Sequence, residues 1–292
     1  MNDNDTIQQL FKSKSIIITP ITGKGRVNRV YIVSQGKDRF VIRINSEEEL
    51  SRFKKEVWCS EEATKEKIST PRVLDVGARN DAAYMILNFV AGSNGDDITE
   101  NRNKVWYTMG NYAQKINQIS TQGFSENMIS PGIFSDSWHR YLDYNINSLD
   151  AEDRLLSLGT INKKQSEQIK DRLLKLRETK FKFGLIHGDI SLENVIVAKD
   201  NVTIIDWGCA ESSIVPHMEI VDLLQNQVSE NDDCFSNFLR GYSMKREEYE
   251  SIKSEIDTLT LLQAIDKLRW AIDRSPDQIS NFSEKVIAIA SV

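Results

Sequence analysis

Apolar residues recur at short, alternating intervals over the first 90 positions, a spacing that is typical of β-strands. Two stretches there have helical spacing instead: residues 5–12, and residues 47–67 with Leu50, Phe53 and Val57 on one stripe. The predicted strands are residues 16–22, 29–34, 39–45, 72–76 and 83–89.

The pattern changes after a small, polar segment, residues 91–95, which predicts a linker or hinge. Beyond it one β island, residues 184–207, interrupts a series of helices. We therefore expect an α+β fold with two lobes: a small β-rich lobe over residues 1–90, a large helical lobe over 91–292, and a hinge about 88–95. The predicted helices of the second lobe are residues 102–119, 135–149, 162–179, 218–228, 233–242, 246–273 and 276–290.

Composition places the chain among ordinary globular proteins. Of its 292 residues, 40% are hydrophobic and 27% are charged, and 37 Lys and Arg against 43 Asp and Glu give a net charge of −6. Because no long basic run is present, we expect no nucleic-acid partner. We expect no membrane span, no secretory leader and a cytoplasmic location. The three cysteines, Cys59, Cys209 and Cys234, show neither a metal nor a disulfide pattern.

The β island carries the candidate chemistry. His187-Gly188-Asp189 follows a short apolar stretch, Asn194 comes five residues after Asp189, and an apolar hairpin then leads to Asp206. Phosphoryl transfer needs a carboxylate that accepts or orients the proton of the incoming hydroxyl, and oxygen ligands that hold Mg²⁺ on the nucleotide phosphates. The spacing therefore predicts Asp189 as catalytic base, with Asn194 and Asp206 as metal ligands.

The string H-G-D-x-x-x-x-N, followed by I-I-D-W, resembles the aminoglycoside phosphotransferase and choline kinase family, small-molecule kinases of protein-kinase-like fold. The resemblance implies ATP or GTP and Mg²⁺ as cofactors, His187 as a packed support, and Asp222 as a brace for the catalytic loop. Gly188 and Trp207 stand where protein kinases have Arg and Phe, which disfavours a protein kinase. A nucleotide-binding pseudokinase is disfavoured because Asp189, Asn194 and Asp206 are all present.

The same resemblance assigns a nucleotide site in the first lobe. Gly23, Gly25 and Asn28 fall in the loop that covers the nucleotide, although the same glycines would suit a simple hairpin turn. Backbone groups of Asn88 and Val90 match the hinge strand that reads adenine.

Two charged residues match the groups that orient the nucleotide phosphates. Arg43 stands where many relatives have Lys, and Glu56 matches its ion-pair partner. Because Glu61, Glu62 and Glu66 lie on the same predicted helix, the alternative for Glu56 is an ordinary solvated face.

The acceptor is indicated by charge. Residues 206–239 contain seven acids and no Lys or Arg, which favours a cationic small-molecule acceptor, although a solvated acidic surface would show the same pattern. Trp106, Trp138 and Tyr141 are candidates to stack on a sugar ring or to pack in the core. The predicted acceptor contacts are Glu211, Glu219, Glu230, Asp232 and Asp233.

Within the family, the runs DRFVIRINS, RFKKE and TPRVLDVG most resemble hygromycin-type aminocyclitol phosphotransferases. The resemblance implies resistance to an aminoglycoside or aminocyclitol antibiotic by O-phosphorylation. The alternative is a metabolic kinase for choline, a sugar, a fructosamine or an amino alcohol. We expect a monomer or a weak dimer.

Overall fold

The computed structural model describes residues 3–11, 15–22, 28–199 and 201–290. The α-helices in these ranges are α1 Asp3–Phe11, α2 Leu50–Lys65, α3 Arg102–Ile116, α4 Trp138–Asn147, α5 Arg154–Ser157, α6 Lys163–Glu178, α7 His217–Asn226, α8 Asp233–Tyr242, α9 Arg246–Arg274 and α10 Ile279–Ala290. The strands are β1 Ile17–Ile21, β2 Arg29–Gln35, β3 Asp38–Ser46, β4 Val73–Arg79, β5 Ala82–Asn88, β6 Ser93–Asn94, β7 Phe124–Ser130, β8 Ile133–Asp136, β9 Lys182–Ile186, β10 Val195–Ala198, β11 Asn201–Ile204 and β12 Glu211–Val215.

The first lobe is an antiparallel sheet of order β1-β2-β3-β5-β4 with a helix on each face. Alternation along β3 decides which side chain meets which helix. Ile42 and Ile44 pack with Ile7 of α1, while Arg43, between them, is turned to the face that α2 covers. The alternating pattern therefore places one buried cation against α2, opposite the apolar core beneath α1.

The second lobe is built around the buried face of α9, including Leu261, Leu262 and Leu268. Two small sheets lie beside the helices, one of order β11-β10-β6 and one of order β8-β7-β12-β9. In the part of the chain that the structure describes, no helix is both long and apolar enough to cross a bilayer.

The segment between the lobes joins the second lobe at once. Strand β6 pairs antiparallel with β10, so that Ser93 lies opposite Val197. Gly92 has φ +155°, and a Cβ there would come within 2.6 Å of the Val197 carbonyl oxygen. Glycine is therefore required where the chain enters this sheet.

The expected α+β fold with two lobes is confirmed, and most predicted elements are present within a few residues. The expectation of one β island in the second lobe is wrong, because the β7–β8 hairpin and β12 are also strands. Strand β12, Glu-Ser-Ser-Ile-Val, is largely buried but half polar, and thus lacks a clear alternating pattern. The helix predicted from residue 135 begins at Trp138, because residues 133–136 complete the hairpin.

Candidate active site

The catalytic loop follows β9, and a single side chain orients its acid. The Asn194 Nδ2 donates to the Asp189 backbone oxygen at 2.9 Å and to Asp189 Oδ2 at 2.7 Å. Asp189 is half-buried, and its Oδ1 has no hydrogen bond from the described residues. The carboxylate is therefore fixed at one oxygen, and the other is available to accept a proton.

Gly188 allows the metal-side loop to lie directly against the catalytic loop. Its φ is +74°, and a Cβ there would lie 2.4 Å from the Cys209 carbonyl oxygen. A residue with any side chain would push residues 207–209 away from Asp189.

His187 is completely buried, and its Nε2 lies 3.2 Å from the Ile205 carbonyl oxygen. Its ring contacts that of Trp207 edge-on, with 4.9 Å between centroids. Burial lowers the pKa of the imidazole, so the neutral form is favoured. These contacts support the predicted packing role rather than proton transfer.

Glu219 lies beneath the catalytic loop, which corrects its prediction as an acceptor contact. It is 1% exposed, and its Oε2 accepts hydrogen bonds from the His187 backbone N–H at 3.0 Å and from Asn117 Nδ2 at 3.3 Å. The Tyr242 hydroxyl in turn donates to Asn117 Oδ1 at 2.7 Å. Burial raises the pKa of Glu219 to about 8, so the carboxyl is largely protonated at neutral pH. No acceptor molecule can reach this side chain.

Asp222 lies one turn further along α7. Its Oδ1 accepts from Gln263 Nε2 at 2.9 Å, and burial raises its pKa to about 6, with a further contribution from the nearby charge of Asp189. Glu219 makes a bond to the backbone of the catalytic loop, and the bracing role that the resemblance assigned to Asp222 stays a prediction.

Arg43 joins the two lobes electrostatically. Its Nη1 donates to Glu56 Oε2 at 2.5 Å, and its Nη2 lies 3.2 Å from Asp206 Oδ1. Glu56 is 4% exposed, and burial raises its pKa, an effect that the guanidinium opposes. The predicted Arg43–Glu56 pair is therefore present, and the solvated alternative for Glu56 is excluded.

Asn194 and Asp206 are brought together by the backbone, because the Ile205 N–H donates to the Asn194 carbonyl oxygen at 2.9 Å. The Asp206 side chain is 47% exposed, and its Oδ2 and Asn194 Oδ1 accept no hydrogen bond from described residues. Free carboxylate and amide oxygens fit Mg²⁺. In the described ranges no three His, Cys, Asp or Glu cluster as a metal site, so phosphate and water would have to supply the remaining ligands.

A model of the phosphotransferase enzyme family (APH) matches residues 18–253, which include Arg43, Glu56, the catalytic loop and both predicted metal ligands. The chain belongs to this family. It is thus a phosphotransferase with two lobes and a protein-kinase-like fold.

Solved structures share the whole fold. Aminoglycoside phosphotransferase APH(4)-Ia is 17% identical, with a TM-score of 0.73 over 99% of this chain and 97% of that one. A thermostable mutant of that enzyme forms a ternary complex with AMP-PNP and hygromycin B. Aminoglycoside 2'-phosphotransferase-IIIa, in complex with GDP, is 16% identical, with a TM-score of 0.70 over 99% and 97%. A search of curated proteins finds no match.

The nucleotide side of this phosphotransferase is only partly described. Gly23 and Gly25 lie outside the described residues. Asn28 Oδ1 accepts from Asn45 Nδ2 at 2.9 Å, which ties the end of the loop to β3. Asn88 ends β5, and Val90 lies two residues later. Their contacts with adenine stay predictions.

A small cavity of about 20 Å³ in the second lobe has aromatic walls that include Phe124, Trp138 and Tyr141. The Tyr141 hydroxyl, which lines it, donates to Asp266 Oδ2. Gln263, on the same wall, donates to Asp222. Sequence reasoning missed Asp266, whose partner is 125 positions away.

Glu211 is a further acid near Tyr141. The first residue of β12, it is half-buried beside the catalytic loop, opposite Ile186. Burial together with the charges of Asp222 and Glu126 raises its pKa to about 8. Its charge also contributes to the raised pKa of Tyr141, which places the two side chains near each other. Glu211, Asp222 and Asp266 therefore lie in one acidic region around Tyr141.

The other predicted acceptor acids lie elsewhere. Glu230 pairs with Lys253 and lies 3.6 Å from Arg246, so cations from α9 neutralise a window that has none of its own. Asp232 Oδ2 accepts from the Ser229 N–H at 2.7 Å at the start of α8, and Asp233 is the first residue of that helix. No described contact joins these three acids to Tyr141, Glu211 or Asp222, and their role in acceptor binding stays a prediction. Of the aromatic candidates, Trp106 is fully buried in the core.

Lys55 was missed by sequence reasoning. It is 3% exposed, and its Nζ donates to the Gly208 carbonyl oxygen at 3.1 Å and to the Ala210 carbonyl oxygen at 2.7 Å. In a helix rich in charges it looked like a solvated residue. Its place one turn before Cys59 and two turns before Ala63, on a buried face of α2 opposite Phe53 and Val57, was the available signal.

Proposed function

We propose that this enzyme transfers the γ-phosphoryl group of ATP or GTP to a hydroxyl of a cationic small molecule, with an aminoglycoside or aminocyclitol as the favoured acceptor. The observation that carries the proposal is the Asn194 amide, which fixes one oxygen of Asp189 and leaves the other free. Homologous folds that hold AMP-PNP, with hygromycin B, or GDP support a nucleotide donor of either type.

Each residue then has a separate task. Asp189 Oδ1 accepts the proton of the acceptor hydroxyl as that oxygen attacks phosphorus. Asn194 and Asp206 would hold Mg²⁺, which neutralises charge on the transferred phosphoryl group when it is bound. Arg43 already contacts Asp206 and is long enough to donate to the α- and β-phosphates while Glu56 retains it.

The acidic region around Tyr141 supports a cationic acceptor. Glu211 and Asp266 both lie near Tyr141, and Asp222 lies near enough to Glu211 and Asp189 for their charges to interact. The pKa of Glu211 is raised in the free enzyme, and a bound ammonium would lower it again. Acceptor binding at pH 7 should therefore release protons, which calorimetry in buffers of different ionisation enthalpy measures directly.

The decisive experiment measures nucleoside diphosphate release from ATP and from GTP with hygromycin B, other aminoglycosides, choline, fructosamines and neutral sugars. Asp189→Asn should lower kcat on the best acceptor by roughly 10²–10⁴-fold and leave nucleotide affinity nearly unchanged. If only neutral sugars react, the cationic acceptor is excluded. A variant that loses nucleotide binding but keeps kcat would contradict the role of Asp189.

A matched pair of variants tests whether Glu211 contacts the acceptor. Glu211→Gln should raise the acceptor KM by about ten- to hundredfold, because a charge-assisted hydrogen bond is lost, while the nucleotide KM stays constant. Glu230→Gln removes the same charge from a site that pairs with Lys253, and should leave both KM values unchanged. Equal effects of the two variants would mean that only the overall charge matters.

A further inference from the structure

Lys55 has contacts that the phosphotransfer mechanism described above does not use. Its ammonium comes from the first lobe but binds two backbone carbonyls of the second, those of Gly208 and Ala210. No described carboxylate lies within ion-pairing distance of it. Glu56 and Glu211 are near enough for their charges to interact with it, but a buried ammonium on neutral carbonyls is still costly, because the carbonyls replace its hydration only in part. The two carbonyl bonds, rather than an ion pair, are therefore its direct contacts.

The two carbonyls occupy a sensitive position in the site. They belong to the short segment between Asp206, the predicted metal ligand, and Glu211, a proposed acceptor contact. Asp206 has φ +61°, a left-handed conformation that non-glycine residues rarely adopt, and its Oδ1 accepts from the Gly208 N–H at 3.3 Å. A backbone in this conformation must be held by its surroundings.

Helix α2 holds this segment in two ways from adjacent residues. Glu56 forms an ion pair with Arg43, which contacts the Asp206 carboxylate. Lys55 donates hydrogen bonds to the carbonyl oxygens of Gly208 and Ala210. One rigid helix of the nucleotide lobe thereby sets both the side chain and the main chain of the metal-binding segment.

We propose that Lys55 is a positioning residue that fixes the segment from Asp206 to Glu211 against α2 and so aligns the phosphoryl donor with the acceptor. The proposal rests on the proposed phosphotransfer. It requires that loss of the Lys55 ammonium impair kcat more than either KM, because Lys55 touches neither substrate. It also requires that, in a variant without this ammonium, the segment from Asp206 to Glu211 be more mobile than in the wild type even when no substrate is bound.

The test compares Lys55→Met with Lys54→Met, which removes an exposed charge from the preceding residue of the same helix. Hydrogen exchange of the free protein is the first readout. Amides of residues 207–210 should exchange roughly tenfold faster in Lys55→Met, because two charge-assisted bonds are lost, while the core of α9 stays protected. Lys54→Met should match the wild type.

Kinetics is the second readout. Lys55→Met should lower kcat by about ten- to hundredfold, with the nucleotide KM within about threefold of the wild type, and Lys55→Arg should recover part of the loss. Wild-type exchange at residues 207–210, or faster exchange throughout the chain, would overturn the proposal. If Lys55→Met does not fold, Lys55→Gln is read by the same criteria. If no acceptor reacts with the wild type, the proposed function fails, while the exchange result still decides whether Lys55 holds the segment.

Discussion

Glu219 provides the sharpest test of how the catalytic loop is supported. Glu219→Ala removes the acceptor of the His187 N–H and of Asn117 Nδ2, which are both buried. Each buried donor left without a partner costs about 1–3 kcal/mol, so the loss of two should lower the free energy of unfolding by roughly 2–6 kcal/mol. Urea unfolding at pH 6 measures this loss, and kcat should fall with it because the loop carries Asp189.

Glu219→Gln is the matched control, because an amide oxygen can accept both bonds without ionising. The pKa of Glu219 is raised from its usual value near 4.5 to about 8, so the native state holds a proton that the unfolded chain releases. Wild-type stability is therefore fully present below pH 4.5 and is lost as pH rises towards 8, by at most about 1.4 kcal/mol for each pH unit. Glu219→Gln should lack this part of the pH dependence.

Two results would refute the interpretation. The first is Glu219→Ala within about 1 kcal/mol of the wild type, which would mean that water or another group satisfies both donors. The second is a Glu219→Ala variant with a changed acceptor KM and unaltered stability, which would mean that Glu219 contacts the acceptor after all.

Two further predictions concern the metal and phosphate groups. Asp206→Asn should remove most activity at ordinary Mg²⁺ concentration. The urea midpoint should stay nearly unchanged, because the side chain is 47% exposed. Full activity of this variant in a Mg²⁺ titration would exclude Asp206 as a ligand. Arg43→Met leaves Glu56 buried without its cation and should cost about 3–5 kcal/mol in urea unfolding, whereas Arg43→Met combined with Glu56→Gln should recover much of that loss; no recovery would show that the pair is not the cause.

Local spacing along the chain predicted which residues of the candidate site lie together. Asp189 and Asn194 sit five residues apart in one loop, and the following hairpin delivers Asp206, so short-range backbone geometry is enough to bring them together. Arg43 was also predictable, because strand alternation sets it apart from Ile42 and Ile44.

The remaining residues depend on contacts that no local pattern encodes. Glu219 and Asp222 lie on the same helix, and only the packing of α7 beneath the catalytic loop decides that Glu219 accepts from the His187 backbone N–H while Asp222 accepts from Gln263. The sequence window around Glu230 looked free of cations because Lys253 comes from another helix. The cytoplasmic location and the weak oligomeric state stay predictions.

The pairing of β6 with β10 has a consequence for recombination between members of this family. A crossover within residues 92–95 would give the hairpin that carries Asn194 a foreign edge strand, and any non-glycine residue at 92 would collide with the Val197 carbonyl. Lobes can be exchanged cleanly only at a junction before Gly92. Residues 92–95, which look like a spacer in the sequence, are therefore structurally part of the second lobe. A viable chimera must take them from the same parent as Asn194.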